Sequence, residues 1–442
     1  MTDKEAHVPA LDGVRGLAIA LVFVRHLSLI SWFRQSGNAV DRAVAGAASA
    51  GWIGVDLFFV LSGFLITGVL LRERERASSM PAKFGRFYWR RTLRIMPLYF
   101  VACGVLFFVV PVLPYFRVQP EIARLHQSAP WFWLYGVNFL DVIHGRGWTP
   151  FNTGHFWSLA VEEQFYLVWP LVVLSTSRRT LMRIVGALIF AGPLVRVACL
   201  AFFGGSGPDA AYELSLARVD VLGVGALIAV IYRGGRGGWA RISSLAPWCG
   251  AASAAVFAAI AFFRGVGASE DPTMQLAGYS AVAMGMGSLI ASVLPAGGST
   301  PRLAAVFAAH PLRTLGKYSY CLYVVHFPLM TVMDVAWMHV HIPPMFGSQL
   351  PSWTAYGAVL AALSLGVAWV SWRVLEAPML AMKDRFSPRP HPSAGPLSGP
   401  PQPPRTYPPR VRELDAIGAR APDPRLFRPH FGDDRRGNAD RP

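Results

Sequence analysis

Ten apolar runs, most of them about 18 to 22 residues long, recur along this 442-residue chain. A helix of ~20 residues rises ~30 Å, the depth of a bilayer's hydrocarbon core. Lipid offers no hydrogen bonds to a bare backbone, so runs of this length read as transmembrane helices. The pattern predicts an all-α, polytopic membrane helix bundle. Its spans fall at roughly 14–33, 51–71, 94–114, 156–175, 181–203, 216–232, 245–263, 275–294, 318–338 and 353–373. Composition agrees: 15% of the residues are charged, against ~25% for a soluble domain.

The net charge of +16 raises nucleic acid as a partner for a soluble protein. Here the basic residues cluster between apolar runs, which points to topology instead and predicts no nucleic-acid partner. The segment 72–94 holds Arg72, Arg74, Arg76, Lys83, Arg86, Arg90, Arg91 and Arg94. Placed in the cytoplasm, it puts the connections at Arg178/Arg179, Arg233/Arg236/Arg241 and Arg302/Arg313/Lys317 inside as well. The loops 204–215 and 339–352, which carry no Lys or Arg, then fall outside. Both termini are predicted to be cytoplasmic. Trp131–Leu140 is too short to span and reads as a re-entrant or interfacial piece.

Two domains are expected: a transmembrane domain over 1–385 and a disordered, Pro/Arg-rich cytoplasmic tail over 386–442, which holds 14 prolines. No cleavable leader is expected, because the first run carries Arg15 and His26 and lacks a small-residue cleavage site. Cys103, Cys199, Cys249 and Cys321 each lie in an apolar run without CxxC spacing, so neither a disulfide framework nor a metal site is predicted.

Charged groups inside a span are expensive and mark function by default. In the first helix, Arg15 and His26 are eleven residues apart, three turns plus ~20°, so they share a face ~16 Å apart. Asp12 is placed to pair with Arg15. One reading makes His26 a general base in a channel and Arg15 an anion contact at its mouth; the other makes them an interhelical hydrogen bond and a topology anchor. Arg91 and Arg94 share a face of the third helix, suited either to a phosphate-bearing ligand or to anchoring. Pro97 reads as an early-helix proline, where its missing N–H is unpaired anyway. The adjacent Glu162 and Glu163 lie one to two turns into the fourth helix and resist a packing explanation. Asp56 sits near the outer end of the second helix, where Gly63 permits close helix approach. Arg218 and Asp220, two apart, read as having partners on other helices. His326, beside Pro328, is either a second site histidine or a core histidine.

Six ordered blocks carry a resemblance. They are Leu11-Asp12-Gly13-Val14-Arg15-Gly16 with His26; Gly54 through Phe64; Arg91-Thr92-Leu93-Arg94-Ile95-Met96-Pro97; Trp157 through Tyr166; Arg218-Val219-Asp220 with Gly225; and Tyr318-Ser319-Tyr320 through His326-Phe327-Pro328. Over residues ~8–380 the chain resembles the acyltransferase-3 family of integral membrane O-acyltransferases. The resemblance implies transfer of an acyl group, usually acetyl, from acyl-CoA to a hydroxyl, commonly of a sugar. Some relatives carry a further extracytoplasmic hydrolase-like domain, and the Pro-rich tail is too short and polar to fold as one.

The combined expectation is a multi-pass protein of the inner (cytoplasmic) membrane that uses acetyl-CoA or another acyl-CoA as donor and needs no metal. Arg91, Arg94 and Arg15 hold the phosphates of coenzyme A, and His26 deprotonates the acceptor. Glu162 orients His26 or binds the acceptor, and Asp56, Arg218, Asp220 and His326 contribute to the acceptor side. The acceptor is a polysaccharide, a glycolipid or a macrolide. The competing reading is a transporter of a polar metabolite that uses the same buried charges.

Overall fold

The computed structural model describes residues 8–384, apart from 146, 267–268, 296–300 and 341. The tail proposed at 386–442 lies outside the described residues. Ten helices of 14 to 29 residues correspond in order to the ten apolar runs: α1 (Pro9–Leu27), α2 (Ile53–Glu75), α3 (Met80–Gly104), α4 (Phe156–Ser175), α5 (Arg178–Phe202), α6 (Val219–Tyr232), α7 (Arg236–Arg264), α8 (Tyr279–Val293), α9 (His310–Trp337) and α10 (Leu350–Ser371). No strand occurs among the described residues; an isolated bridge joins Met345 and Ser348.

Among the described residues, eight helical segments are long and apolar enough to cross a membrane. The two long helices that do not qualify are α1, with Asp12, Arg15 and Arg25, and α4, with Glu162 and Glu163. The apolar stretch ending in α2 is mostly buried, whereas little of those of α5, α7 and α10 is buried. Phe190, Phe202, Trp248, Phe262 and Phe263 point outward. In water such a surface is an anomaly; against lipid it is the solvent contact.

Two backbone-to-backbone seams hold the centre. A Cβ added at Gly16 would lie 2.0 Å from the Leu312 carbonyl oxygen, and one at Gly316 would lie 1.8 Å from that of Asp12, so α1 and α9 touch without side chains between them. Gly63 meets the Leu222 carbonyl and Gly225 the Val60 carbonyl, each at 2.0 Å, closing α2 on α6 as the Gly63 reading anticipated. Lipid tails give helices no hydrophobic reason to associate, so close van der Waals approach through small residues takes that role.

Buried ion pairs complete the core. Arg218 of the turn before α6 donates to Asp56 on α2, both fully buried. Arg196 of α5 makes a two-point contact to Asp220 on α6, at 3.0 and 2.8 Å, and also donates to the Ala217 carbonyl at 2.7 Å and to Ser280 at 3.0 Å. The Arg218/Asp220 couple thus serves two partners on two other helices, as its spacing suggested.

The helix bounds differ from expectation in two places that matter. α1 begins at Pro9, whose absent N–H costs nothing at a helix start, and ends at Leu27, where the Ser28 hydroxyl turns back to the Arg25 carbonyl at 2.6 Å. His26 therefore sits in the last turn, not mid-helix. α3 begins at Met80, fourteen residues before the apolar run, because its arginine-rich turns are helical although not apolar. Arg91 and Arg94 thus lie mid-helix, and Pro97 is an interior proline rather than an early one. Trp131–Leu140 crosses the end of a helix, Glu121–Trp133, and a 3-10 turn, Val137–Phe139. Phe132, Val137 and Leu140 bury themselves in the bundle, and Tyr135 stacks on Tyr99 of α3 with centroids 4.1 Å apart.

Candidate active site

A narrow cavity of ≈ 110 Å³ lies among α1, α2, α3, α4 and α9. Arg15, Arg91 and Arg94 line it together with Glu162 and Glu163. Arg15 is oriented by Asp12, 3.6 Å away on the same helix. The Arg91 guanidinium lies over the Tyr166 ring, 3.7 Å from its centroid. Tyr166 donates to Glu162 at 2.9 Å and is hydrogen-bonded to Ser62. Tyr320, also in the wall, donates to the Ile95 carbonyl at 2.8 Å and ties α9 to α3. Arg91 Nε is buried without a hydrogen-bond partner; a donor left this way is suited to an anion.

The other basic residues of 72–94 divide from these by their contacts. Arg86 pairs with Glu73 at 3.0 Å and Lys83 donates to the Arg74 carbonyl at 2.8 Å. They secure the link between α2 and α3, which is the anchoring alternative, while Arg91 and Arg94 take the cavity wall.

Three histidines meet beside this cavity. His26 of α1 and His326 of α9 approach with Nδ1 and Nε2, respectively, 2.9 Å apart. His155, just ahead of α4, has its ring 5.8 Å from that of His26 and 5.4 Å from that of His326. His155 Nε2 is 2.9 Å from the Tyr323 carbonyl, and its buried Nδ1 has no hydrogen-bond partner. Ser158 and Tyr323 line the arginine cavity and are hydrogen-bonded at 2.5 Å, and Tyr323 also donates to the His155 carbonyl at 3.1 Å. The histidines thus adjoin the far wall of the arginine cavity. Among the described residues, no group of three His, Cys, Asp or Glu is arranged to hold a metal ion.

A wide cavity of ≈ 930 Å³ is also present. Phe327, whose ring packs on His26 at 4.0 Å, is part of its wall. Trp32, Tyr115, Phe151 and Trp337 supply aromatic surface, and Gln119, Arg124, Asn152 and Asp334 supply polar groups. Its walls draw on the connections that follow α3 and α9.

The structure gathers Arg15, Arg91, Arg94 and Glu162 into one cavity and joins His26 to His326. No hydrogen bond joins Glu162 to His26: Glu162 bonds to Tyr166 and Ser62, whereas His26 bonds to Val22 and His326. Asp56, Arg218 and Asp220 line neither cavity and are spent on interhelical pairs. Sequence reasoning passed over His155 and Arg196. A rule that flags every intramembrane charge finds Arg196 at once; His155 lies seven residues before Glu162, two turns along the same face.

A model of the acyltransferase-3 family, described as an acyltransferase domain, matches residues 8–373. The chain belongs to this family. It is similar to the peptidoglycan O-acetyltransferase OatA of Listeria monocytogenes, with 28% identity over 84% of this chain and 56% of that protein. It is also similar to the putative peptidoglycan O-acetyltransferase YrhL of Bacillus subtilis (26%, covering 75% and 50%) and to the O-acetyltransferase OatA of Staphylococcus aureus (27%, covering 84% and 57%). The chain spans about half the length of the curated relatives it matches. No solved structure matches.

Proposed function

We propose that this protein is a multi-pass enzyme of the cytoplasmic membrane that transfers an acetyl group from acetyl-CoA to a hydroxyl of a cell-surface polysaccharide. The observation that carries this reading is the pair of cavities, one lined by Arg15, Arg91 and Arg94 and one wide and aromatic, with His26 packed against Phe327 of the second and next to His155, which Tyr323 of the first holds. The named relatives favour acetyl as the acyl group and a peptidoglycan-like acceptor.

Coenzyme A approaches from the cytoplasm. The arginine cavity is too small for a whole nucleotide, since ligand pockets measure about 300–1,000 Å³. The nucleotide therefore stays at the mouth, with its phosphates on Arg94, Arg91 and Arg15, and only the acyl-pantetheine arm threads inward. Two-point guanidinium contacts suit phosphate oxygens. Glu162 holds Tyr166, and Tyr166 supports Arg91 from below, which makes Glu162 a positioning residue for the donor side. The acceptor enters the wide cavity, where aromatic faces and amide or carboxylate groups recognise a sugar chain.

His26 takes the proton of the acceptor hydroxyl as its oxygen attacks the thioester carbonyl. An O–C bond forms, the C–S bond breaks, and the proton passes from His26 to the departing thiolate of coenzyme A. The purified protein in nanodiscs, given labelled acetyl-CoA and a soluble glycan acceptor, is expected to release coenzyme A and label the glycan as an alkali-labile ester. The same protein in sealed proteoliposomes taking up label without ester formation overturns the reading in favour of transport.

A further inference from the structure

The hydrogen bonds around the two central histidines determine which nitrogen of each carries its proton. A carbonyl oxygen only accepts, and a neutral imidazole has one N–H and one lone pair. His326 Nδ1 lies 2.7 Å from the Leu322 carbonyl and 3.0 Å from that of Tyr323. It must therefore be the N–H of that ring, which leaves Nε2 as the acceptor. His326 Nε2 faces His26 Nδ1 at 2.9 Å, so His26 Nδ1 must donate. A second contact agrees independently: the same His26 Nδ1 is 2.9 Å from the Val22 carbonyl. By both routes the lone pair of His26 is on Nε2. Among the described residues no hydrogen bond engages that nitrogen.

We propose that His326 is a positioning residue that pins the proton of His26 on Nδ1 and reserves His26 Nε2 as the atom that receives the acceptor's proton. This rests on the role given to His26 above. A second ring nitrogen decides the tautomer of a histidine through the bond it makes, and here a histidine does for His26 what a carboxylate commonly does. A neutral partner has a consequence that a carboxylate does not. When His26 takes up the second proton, His326 Nε2 still offers only a lone pair, so the imidazolium is held by a dipole rather than by a full charge and gives the proton up readily to the thiolate.

The surroundings keep His326 in this role. It is fully buried. Pro328 has no N–H to give to the carbonyl four residues before it, which loosens this turn of α9. In the same turn the Tyr323 carbonyl serves both His326 Nδ1 and His155 Nε2. His155 accordingly carries its proton on Nε2, opposite to His26, and lacks an N–H on Nδ1.

The test uses full-length protein in nanodiscs with ring-15N-labelled histidine. The His26 signals are assigned by their loss in His26→Gln. In the wild type, Nδ1 of His26 is expected to show the shift of a protonated ring nitrogen and Nε2 that of an unprotonated one. His326→Phe removes one of the two acceptors facing His26 Nδ1 and leaves the Val22 carbonyl, so the Nδ1 resonance should shift and the Nε2-protonated tautomer should rise to a measurable fraction. Turnover should fall about 10- to 100-fold, the range for outer partners that orient a functional histidine, with the KM for acetyl-CoA unchanged. His326→Gln places an amide oxygen near the former Nε2 and should recover much of both. A wild-type spectrum with the proton on Nε2 overturns the proposal even if His326→Phe fails to fold. So does a folded His326→Phe that keeps both tautomer and turnover. Full turnover in His26→Gln removes the base assignment itself, and it is read separately from the tautomer result.

Discussion

Arg91 lies over the face of Tyr166, its guanidinium carbon 3.7 Å from the ring centroid, and the same tyrosine donates to Glu162 at 2.9 Å. A flat cation held this way keeps its N–H edge available for an anion. Arg91→Ala should raise the KM for acetyl-CoA by roughly 10- to 150-fold, the loss of one charge-assisted contact of about 1.5–3 kcal/mol. Arg91→Lys should recover little, because an ammonium neither stacks nor forks. Arg94 is exposed, and Arg94→Ala should cost less than about 1 kcal/mol. Steady-state kinetics over a range of donor concentrations decide it; equal effects at the two positions would contradict the geometry.

His26→Gln should lower turnover by about 10²–10⁴-fold, the usual share of a general base. Donor KM should stay near wild type, because the arginines proposed to hold the phosphates line a cavity that His26 does not. The measurement is single-turnover ester formation at saturating acetyl-CoA.

Asp220→Ala should cost about 3–5 kcal/mol of stability, since it strands the fully buried Arg196 without its carboxylate. Arg196→Met combined with Asp220→Leu should restore much of that loss by removing both charges. Thermal unfolding followed in detergent reads both variants. Turnover per folded molecule should change little, because neither residue lines a cavity.

Gly16→Leu should prevent α1 from seating on α9, because its Cβ alone meets the Leu312 carbonyl at 2.0 Å. Gly68→Ala is the control: nothing lies within 4 Å of a Cβ there, and the helix gains up to about 1 kcal/mol of propensity. Monodispersity on size exclusion and the unfolding temperature should separate the two clearly.

Single cysteines at Ser79 and Gly205, both exposed, should label from opposite faces of sealed vesicles on a cysteine-free background. Labelling of both from one side would overturn the orientation and with it the route proposed for coenzyme A.

Much of this arrangement is legible in the chain because the polar groups interrupt an otherwise apolar text. Arg15, His26, Arg91, Glu162 and the Arg218/Asp220 couple stand out on helical spacing alone. What spacing cannot show is which helix faces which. His26 and His326 are 300 residues apart and touch, and Glu162 turns out to serve Tyr166, four residues on in its own helix. Helix bounds drawn from apolar runs also fail where arginines extend a helix beyond its apolar part. That is why α3 begins at Met80 and Pro97 is interior.

The glycine seam between α1 and α9 has a mechanical consequence. Gly16 against Leu312 and Gly316 against Asp12 leave no compressible side chain between the two helices. One helix carries His26 and the other His326. A slip of a single residue along the axis, ~1.5 Å, would break the 2.9 Å nitrogen-to-nitrogen contact, and the bare carbonyls at the seam stand in the way of such a slip. The pair is therefore clamped, and this seam is a poor hinge. Any opening that admits donor or acceptor has to occur elsewhere in the bundle, with α1 and α9 moving as one body.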